Sequence, residues 1–400
     1  MGTLKGLAMS GDLPDGWRRV RLGDVFRERK QRGRAGLPVA SVSIEHGLVL
    51  RSSLDRRVQS DLPPEGHSLV CKGDIAYNMM RMWQGACGLA RADCLISPAY
   101  VVMTPTEEIE PQFADKLLRS EPVIRLLHGY SQGIVDDRLR LYPDAFALVP
   151  ISLPPLDEQR RITEVLQSVD EAIAAAQQAA AHSRALQSSL ITARCFGHGF
   201  EMVSLGDILA DIRYGTSVKC DANEADGYPV LRIPNVTNGR VELDDLKYAS
   251  VSDADLRRFG LGAGDIVVVR TNGNPAHIGR SALITDVADT WLFASYLIRM
   301  RFDARRAWPP YVYAALNSQP VREKLFKAAT TSAGNYNINT ASLKGIEIPL
   351  PDLETQHQIG EVIQLATEVA NACENEVKQK QRVRASLISD FLSGRVRVPA

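Results

Sequence analysis

Hydrophobic residues recur every three or four positions in two long stretches of the chain, and this spacing predicts an α-helix in each. In the first stretch the recurring residues are Ile162, Val165, Leu166, Val169 and Ile173. In the second stretch they are Ile359, Val362, Ile363, Ala366 and Ala370. About 38 residues of helix would extend roughly 57 Å at 1.5 Å per residue. A helix of that length with one apolar stripe needs a partner surface.

Shorter apolar runs, separated by polar segments that contain glycine, predict strands and short helices in the remaining parts of the chain. The strand candidates are 38–42, 75–77, 99–103 and 266–269. The helix candidates are 112–118, 122–127 and 310–325. We therefore expect two globular regions of mixed α/β class, 16–150 and 200–349.

The two helical stretches belong to an internal repeat with a period near 197 residues. The sequence LPPLDEQRRI at 153–162 matches LPDLETQHQI at 350–359. In each copy a proline precedes the helix, and Asp157 or Asp352 is placed to cap the helix start. Each half of the chain is therefore a globular region followed by a long helix.

The repeat indicates that the natural partner of each long helix is the other long helix. Antiparallel pairing as a coiled coil would give the chain pseudo-two-fold symmetry. The alternative is that each helix packs only on its own globular region. The predicted helix length argues against that alternative, because it exceeds what a compact domain of this size can cover.

Polar loops in both globular regions carry side chains suited to reading DNA bases. Arginine can donate two hydrogen bonds to guanine, and asparagine or glutamine can pair with adenine; serine and threonine hold phosphates. The candidate DNA-binding residues are Asn78, Arg81, Gln84, Ser131, Gln132, Arg138, Lys219, Arg232, Arg270, Thr271, Asn272, Asn274, Arg280, Thr331, Asn335 and Asn337. The alternative is ordinary turn chemistry, since Asn-Gly and Asn-Pro are common turn dipeptides. The run 79–83 is rich in Met and Trp, which more often pack in a core.

The charge balance is unusual for a DNA-binding protein, because the chain has 47 basic and 47 acidic residues. A dense basic run stands at Arg18, Arg19, Arg21, Arg27, Arg29, Lys30, Arg32 and Arg34. Either the charges are segregated in space or another subunit supplies part of the phosphate contacts, and we favour a mixture. The six cysteines are far apart, which favours buried free thiols over a disulfide framework or a zinc site. We expect no bound metal.

Motifs for catalysis are missing from the sequence. A Walker loop, which would cradle nucleotide phosphates, does not occur. The run 308–311, Trp-Pro-Pro-Tyr, comes near a methyltransferase motif, but tryptophan lacks the amide or carboxylate that would hold the target amine. A nuclease cluster is not evident either. We therefore expect a chain that is not an enzyme.

The segment LPPLDEQ at 153–159 and its copy at 350–356, which has Asp352 for the second proline and Thr355 for the glutamate, resemble the specificity subunits of Type I restriction-modification systems. So do the openings at Leu22-Gly23-Asp24 and Leu205-Gly206-Asp207. The resemblance covers almost the whole chain. It implies a target-recognition domain at 1–152, a spacer helix at 153–197, a second recognition domain at 198–349 and a second spacer helix at 350–394. Each domain would read one half of a split, asymmetric DNA site, and the helices would set the distance between the halves.

The resemblance also implies partners: double-stranded DNA, two methylation subunits and restriction subunits. S-adenosylmethionine, ATP and Mg would bind those subunits, and no cofactor would bind this chain. The first ten residues lack the pattern of an export signal and no apolar run could span a membrane. We therefore expect a cytoplasmic protein. The rival interpretations are a coiled-coil interaction scaffold without a DNA role and a self-contained methyltransferase or nuclease.

Overall fold

The computed structural model describes residues 13–53, 62–133, 138–222, 227–237, 239–285, 291–332 and 334–398. Residues 1–10, on which the expectation about an export signal rests, and residue 333 of one candidate loop lie outside the described residues. The chain divides into two compact units, one made of 1–175 with 377–400 and the other of 176–376. Each unit contains one globular region and a stretch of both long helices.

The globular region of the first unit is built around an antiparallel four-stranded sheet. Its strands are β1 (Arg18–Arg21), β2 (Phe26–Glu28), β3 (Ala40–Ser43), β4 (Gly47–Leu50), β5 (Ser68–Val70), β6 (Ile75–Asn78), β7 (Cys87–Leu89), β8 (Cys94–Ile96), β9 (Tyr100–Pro105) and β10 (Pro150–Leu153). The central sheet has the order β2-β9-β6-β7, and β1 with β10, β3 with β4 and β5 with β8 form antiparallel pairs. Its helices are α1 (Leu22–Val25), α2 (Pro111–Leu118), α3 (Glu121–Tyr130) and α4 (Pro143–Ala147), and the long helix α5 (Leu156–Phe196) follows them in the chain.

The second unit repeats this plan with additional strands. Its strands are β11 (Met202–Ser204), β12 (Leu209–Tyr214), β13 (Tyr228–Leu231), β14 (Val236–Thr237), β15 (Arg240–Val241), β16 (Lys247–Ala249), β17 (Ile266–Val269), β18 (Thr271–Asn272), β19 (Ser281–Leu283), β20 (Leu292–Phe293), β21 (Leu297–Phe302), β22 (Thr330–Ser332), β23 (Asn335–Asn337) and β24 (Glu347–Pro349). Its helices are α6 (Leu205–Ile208), α7 (Asp253–Phe259), α8 (Pro309–Asn317), α9 (Gln319–Ala328) and α10 (Thr340–Lys344), and the long helix α11 (Leu353–Ser393) follows them in the chain. The order β12-β21-β17-β19 matches the central sheet of the first unit.

The predicted strands and most predicted helices are confirmed, with shifts of one to three residues at their ends. The single helix predicted over 310–325 is wrong: α8 ends at Asn317 and α9 begins at Gln319. Pro320 is the cause, because its ring prevents a helical hydrogen bond to the preceding turn. Ser318 between the two helices is extended and fully buried, and its hydroxyl donates to the Ala315 carbonyl.

The repeated Gly-Asp-Ile segment forms the same turn in both units. Asp74 and Asp265 are each 1% exposed. Each accepts a hydrogen bond, at 2.8 Å, from the backbone amide three residues earlier. Each also receives two guanidinium hydrogen bonds, Asp74 from Arg29 and Asp265 from Arg301. Because a buried carboxylate is stable only with such partners, the segment is repeated for structural reasons.

Both long helices have 41 residues, and their starts differ in one respect. Asp352 caps α11 as predicted, since its carboxylate accepts from the Thr355 amide at 2.9 Å. The cap predicted at Asp157 is wrong, because α5 already begins at Leu156 and Asp157 lies in its first turn. Pro155 occupies the position before the helix and has no side-chain acceptor to offer.

Glu158, one residue further into α5, has a different function. Its carboxylate is 2% exposed and accepts from Trp17 Nε1 at 3.1 Å. Arg397 donates to both of its oxygens, at 2.6 and 2.7 Å. This carboxylate therefore fixes the segment before β1 and the segment after α11 to the start of α5. The second copy has Thr355 at this position and lacks the interaction.

A buried glutamine anchors α5 to its globular region. Gln159 is fully buried, and its side-chain carbonyl accepts from the Glu110 amide at 2.8 Å. Its Nε2 donates to the carbonyls of Glu108 and Pro154, at 3.0 and 2.9 Å. These bonds connect the helix start to the segment that leads into α2 and to the end of β10.

Gln356 makes the same three hydrogen bonds in the second unit. It is also fully buried, its carbonyl accepts from the Trp308 amide at 2.8 Å, and its Nε2 donates to Arg306 and Pro351 at 2.9 and 2.8 Å. The equivalent partners are all backbone groups. The repeated glutamine thus defines where each long helix leaves its globular region.

Each unit also contains contacts between a stretch of α5 and a stretch of α11. In the first unit Ile162 and Leu166 share a core with Phe391 and Leu392. Asp170 accepts hydrogen bonds from Arg384 and from Lys116 of α2. The helix stretch therefore packs on its own globular region and on the other long helix at once.

In the second unit Arg184 donates to Glu374 at 2.5 Å and to Asn371 at 2.8 Å, and Gln187 donates to Thr367 at 2.6 Å. Later residues of α5 thus meet earlier residues of α11. The predicted apolar stripe is correct for Ile359 and Ile363, which are buried. It is wrong for Val362, which is 40% exposed.

The cysteines and the apolar character of the helices were also subjects of the sequence analysis. Three of the six cysteines, Cys87, Cys94 and Cys195, are buried, and the other three are partly exposed. In the described part of the chain, no helix has the length and apolar character that crossing a bilayer requires.

Replacing Gln159 or Gln356 by alanine tests the anchor. Each change would remove three hydrogen bonds to buried or partly buried backbone groups, so we expect a loss of about 3 kcal/mol in unfolding free energy. Hydrogen exchange should accelerate at the Glu110 amide in Q159A and at the Trp308 amide in Q356A.

The matched control is Q167A, which removes an exposed glutamine whose side chain donates to Glu171 on the same helix. Its stability should change by less than about 0.5 kcal/mol. Equal effects of Q159A and Q167A would show that the anchor is unimportant.

Candidate nucleic-acid interface

Two of the predicted loops in the first unit lie side by side. Asn78 is the last residue of β6, and Arg81 and Gln84 belong to the connection between β6 and β7. Ser131, Gln132 and Arg138 belong to the connection between α3 and α4. The Leu141 amide donates to the Met79 carbonyl at 2.9 Å, which joins the two connections through the backbone. Arg81, Gln132 and Arg138 are exposed.

The polar groups of the first loop partly serve to shape it. Asn78 Oδ1 accepts from the Met80 amide at 3.0 Å, and Arg81 donates to Gln84 at 3.3 Å. The core interpretation of 79–83 is correct for Met82, which is fully buried, whereas Met80 is 48% exposed. The loop is therefore folded back on itself before any ligand binds.

The structure brings the two predicted loops of the second unit into one small sheet, β18-β23-β22. Thr271 lies opposite Asn337, and Asn272 lies opposite Tyr336. Thr331 also pairs with Tyr336, from the other side. The Ile338 amide donates to the Arg270 carbonyl at 2.8 Å, and this bond is the equivalent of the one between Leu141 and Met79. Both units therefore hold their two loops together in the same way.

Side chains of this second loop pair are also fixed by local contacts. Asn272 Oδ1 accepts from the Asn274 amide at 2.8 Å, and Asn274 Oδ1 accepts from the Ala276 amide at 3.0 Å. The Arg270 guanidinium lies 4.5 Å from the centre of the Tyr214 ring, a cation–π contact that restricts its position. These are the features of a surface arranged in advance of binding.

Lys219 and Arg232 are not part of the small sheet. Arg232 lines a cleft of about 510 Å³ together with Lys247 and Tyr296, and Lys219 lies between two residues that line it. The cleft adjoins the loops at Arg270, whose amide donates to the Tyr296 carbonyl at 3.1 Å. Arg232 donates to Asp245 at 2.8 Å, and this contact lowers the pKa of the Asp245 carboxyl.

The first unit has a cleft at the equivalent place, with a volume of about 640 Å³. It is lined by Lys30, Arg32 and Tyr100, among others, and Tyr100 lies opposite Asn78 in the sheet. The residues of the basic run and the two tyrosines are not among the DNA-binding residues predicted from the sequence. Tyr100 lies near the position equivalent to Tyr296 in the repeat, and this correspondence could have indicated both clefts.

Much of the basic run is neutralised by acidic neighbours. Arg18 pairs with Glu108, Arg29 with Asp74, Lys30 with Glu28 and Arg34 with Asp93, at 2.5 to 3.2 Å. Only part of the charge that the sequence offers is thus free to contact phosphate. Which individual residues touch DNA stays a prediction.

Two buried cysteines and the run 308–311 bear on the question of catalysis. Burial raises the pKa of Cys94 to about 11 and that of Cys195 to about 12, so both thiols are poor nucleophiles. No group of three metal-binding side chains occurs within the described ranges. The run that approached a methyltransferase motif has a structural function: the Trp308 amide donates to Gln356, and Tyr311 is fully buried in α8.

Comparison with known proteins gives consistent results. The family model described as the Type I restriction modification DNA specificity domain matches residues 198–381. The EcoKI specificity subunit of Escherichia coli K12 is 27% identical over 71% of this chain and 64% of its own length. The StySPI specificity subunit of Salmonella potsdam is 23% identical over 75% of this chain and 68% of its own length. The chain thus spans slightly less than two thirds of the first of these relatives.

Solved structures share the fold. A chain from a study of complex assembly and conformational transition of the type I R-M system has a TM-score of 0.60 at 17% identity, over 96% of this chain and all of the other. The Type I restriction-modification S subunit from M. genitalium has a TM-score of 0.53 at 12% identity, over 96% and 98% of the two chains.

Gly85, at the end of the first loop, allows a test of how tightly the loop is packed. Its φ is +82°, and a methyl group there would lie 2.8 Å from Ile124 of α3. We expect G85A to lose about 1 kcal/mol from backbone strain and about 1 to 3 kcal/mol more from the contact. Thermal unfolding measures the loss.

G36A is the matched control, since Gly36 has a φ of +86° and nothing within 4 Å of such a methyl group. It should show the strain alone. Identical losses in the two variants would mean that the loop moves freely away from α3.

Proposed function

Because this chain belongs to the family of Type I restriction-modification specificity subunits, we propose that it reads a bipartite, asymmetric DNA site for a methylation and restriction complex. The observation that carries the proposal is the repeated pairing of two polar loops by one backbone hydrogen bond, Leu141 to Met79 and Ile338 to Arg270. Two different half-sites require two pairs of loops that have the same backbone arrangement and carry different side chains.

The first recognition domain would comprise 1–152 and the second 198–349. In each, the paired loops would enter the major groove, where arginine, asparagine and glutamine discriminate base pairs. The adjoining clefts, with Arg32 or Lys247 and a tyrosine, would follow the sugar-phosphate backbone. Since much of the basic run is internally paired, partner subunits would supply the remaining phosphate contacts.

The spacer segments 153–197 and 350–394 would pair along their length as an antiparallel coiled coil and relate the two halves by a pseudo-two-fold axis. Support comes from the contacts of Arg184 with Glu374 and of Asp170 with Arg384. Forty-one helical residues extend roughly 60 Å, which is enough to separate two readers by about one 34 Å turn of DNA. The spacer would therefore set the gap between the half-sites.

One exposed face of α11 has the properties of a binding surface for a protein partner. Val362, Leu365 and Val369 are 40%, 63% and 58% exposed, and their spacing places them on one side of the helix. A stripe of exposed aliphatic side chains favours a partner helix. We propose that two methylation subunits dock on the spacer and that restriction subunits join them.

Catalysis would belong to those partners. S-adenosylmethionine would bind the methylation subunits, ATP and Mg the restriction subunits, and this chain would bind no cofactor and act in the cytoplasm. An interaction scaffold without a DNA role is the second candidate, favoured by the equal numbers of basic and acidic residues.

The decisive experiment maps methylated adenines in the host genome with and without this gene. We expect one split motif, made of two unlike half-sites with a fixed gap, to lose methylation when the gene is deleted. An unchanged methylation pattern would contradict the proposed function and favour the scaffold.

Substitutions in the loops should act on one half-site each. R81A with Q84A should relax sequence preference in one half of the motif, and N272A with N337A in the other, by about 1 to 3 kcal/mol for each lost base contact. Motif mapping in cells that express each variant is the measurement. Loss of preference in both halves from either pair would argue against separate readers.

The docking face is tested by L365R, which places a charge in the exposed aliphatic stripe. We expect loss of co-purification with the methylation subunits and an unchanged melting temperature, because Leu365 is not part of a core. The control is S168R, at the equivalent position of α5, where the chain already has an exposed polar residue. If L365R assembles normally, this face is not the docking surface.

A further inference from the structure

We propose that Arg280 and Arg322 of the second unit form a site for a phosphate group of the DNA backbone, beside the β18 loop. The inference rests on the proposed function, because it specifies how DNA is held at the second loop pair. Arg322 lies on α9, outside every loop that the sequence singled out.

Arg280 is the last residue of the turn between β18 and β19, and Arg322 contacts the same turn. Arg322 Nη2 donates to the Ala276 carbonyl at 3.3 Å, and a methyl group at Gly279 would lie 3.2 Å from Nη1. Nη1 is buried and has no hydrogen-bond partner among the described residues. His277 lies in the same turn.

The site carries positive charge without a described carboxylate to balance it. Burial and the neighbouring Arg280 lower the pKa of the Arg322 guanidinium. Burial and both arginines lower the pKa of His277. Clustered cations repel one another, and a bound anion relieves that cost. Phosphate is the anion that a guanidinium recognises best in a nucleic acid.

The first unit shows that the fold does not need these charges. Arg322 has the position of Ile124: each amide donates to the carbonyl of the serine four residues earlier, and each side chain meets a glycine, Gly279 or Gly85.

Arg280 likewise has the position of Ala86. The carbonyl of each accepts from the amide at the end of the equivalent strand, Val269 or Asn78. One unit thus has apolar residues where the other has two arginines. Because the same scaffold folds around an alanine and an isoleucine, the arginines serve another purpose.

The location fits a phosphate contact. The turn continues directly from Asn272 and Asn274, which are candidate base-reading residues. Contacts to phosphate fix the register of a protein on the duplex, while neighbouring contacts to bases read the sequence. A phosphate held by Arg280 and Arg322 would therefore position the second loop pair in its groove.

The test uses the full chain assembled with its methylation subunits. The double variant R280A/R322I introduces the two residues of the first unit, so its melting temperature should match that of the wild type. Binding is measured at several salt concentrations on a duplex with the mapped motif and on a scrambled duplex. R125Q, which removes an exposed arginine of α3 that pairs with Glu121, is the matched control, and R322K keeps the charge.

We expect R280A/R322I to bind both duplexes about tenfold more weakly, and its salt dependence to fall by about one to two released counterions. The preference for the mapped motif should be unchanged. R322K should retain most of the affinity, and R125Q all of it.

Wild-type affinity and salt dependence in R280A/R322I would overturn the inference while leaving the proposed function intact. A changed preference between the duplexes would also overturn it, since that result indicates a base contact. If the wild type binds without preference and the double variant binds more weakly, the phosphate site stands and the proposed function fails. A wild type that binds neither duplex contradicts both.

Discussion

A buried glutamine side chain at the start of each long helix is the contact on which the rest of this architecture depends. Gln159 and Gln356 each join three backbone groups that belong to the preceding strand and to the segment before a short helix. A glutamine provides the acceptor and the two donors that these groups require, and no other side chain of that length does. Because all partners are backbone, the geometry is independent of the surrounding side chains. The direction in which each helix leaves its globular region is therefore fixed in a protein whose two globular regions have diverged.

Charged side chains also divide into those that stabilise the fold and those that are exposed on the surface. Buried carboxylates such as Asp74, Asp265 and Glu158 form ion pairs with arginines. These arginines are therefore not available for contacts with phosphate. An equal number of basic and acidic residues is therefore compatible with a nucleic-acid surface, provided that a few cations stay outside this internal pairing. Arg280 and Arg322 are such cations within the described residues. Net charge alone was a poor guide, because it counts structural and functional arginines together.

The parts of the fold that the sequence predicted are those with strong local signals. Hydrophobic spacing located both long helices, and Asp352 had the right residue type for a cap. The break at Ser318 was missed because hydrophobic periodicity continues across Pro320 and outweighed the proline. Arg322 was missed for a different reason: a single arginine in an amphipathic helix is typical of a solvated surface. Its significance depends on a glycine and a second arginine more than forty residues away in the sequence, and no local pattern encodes that proximity.

The backbone bond that joins the two loops of each unit has a consequence for the history of such proteins. A hydrogen bond between an amide and a carbonyl is indifferent to which side chains flank it. Loop residues whose side chains make no local contacts can be exchanged while Leu141 or Ile338 remains in the core and preserves the frame. Under the proposed function, a lineage under pressure to recognise new targets could change its sequence preference through such exchanges at little cost in stability.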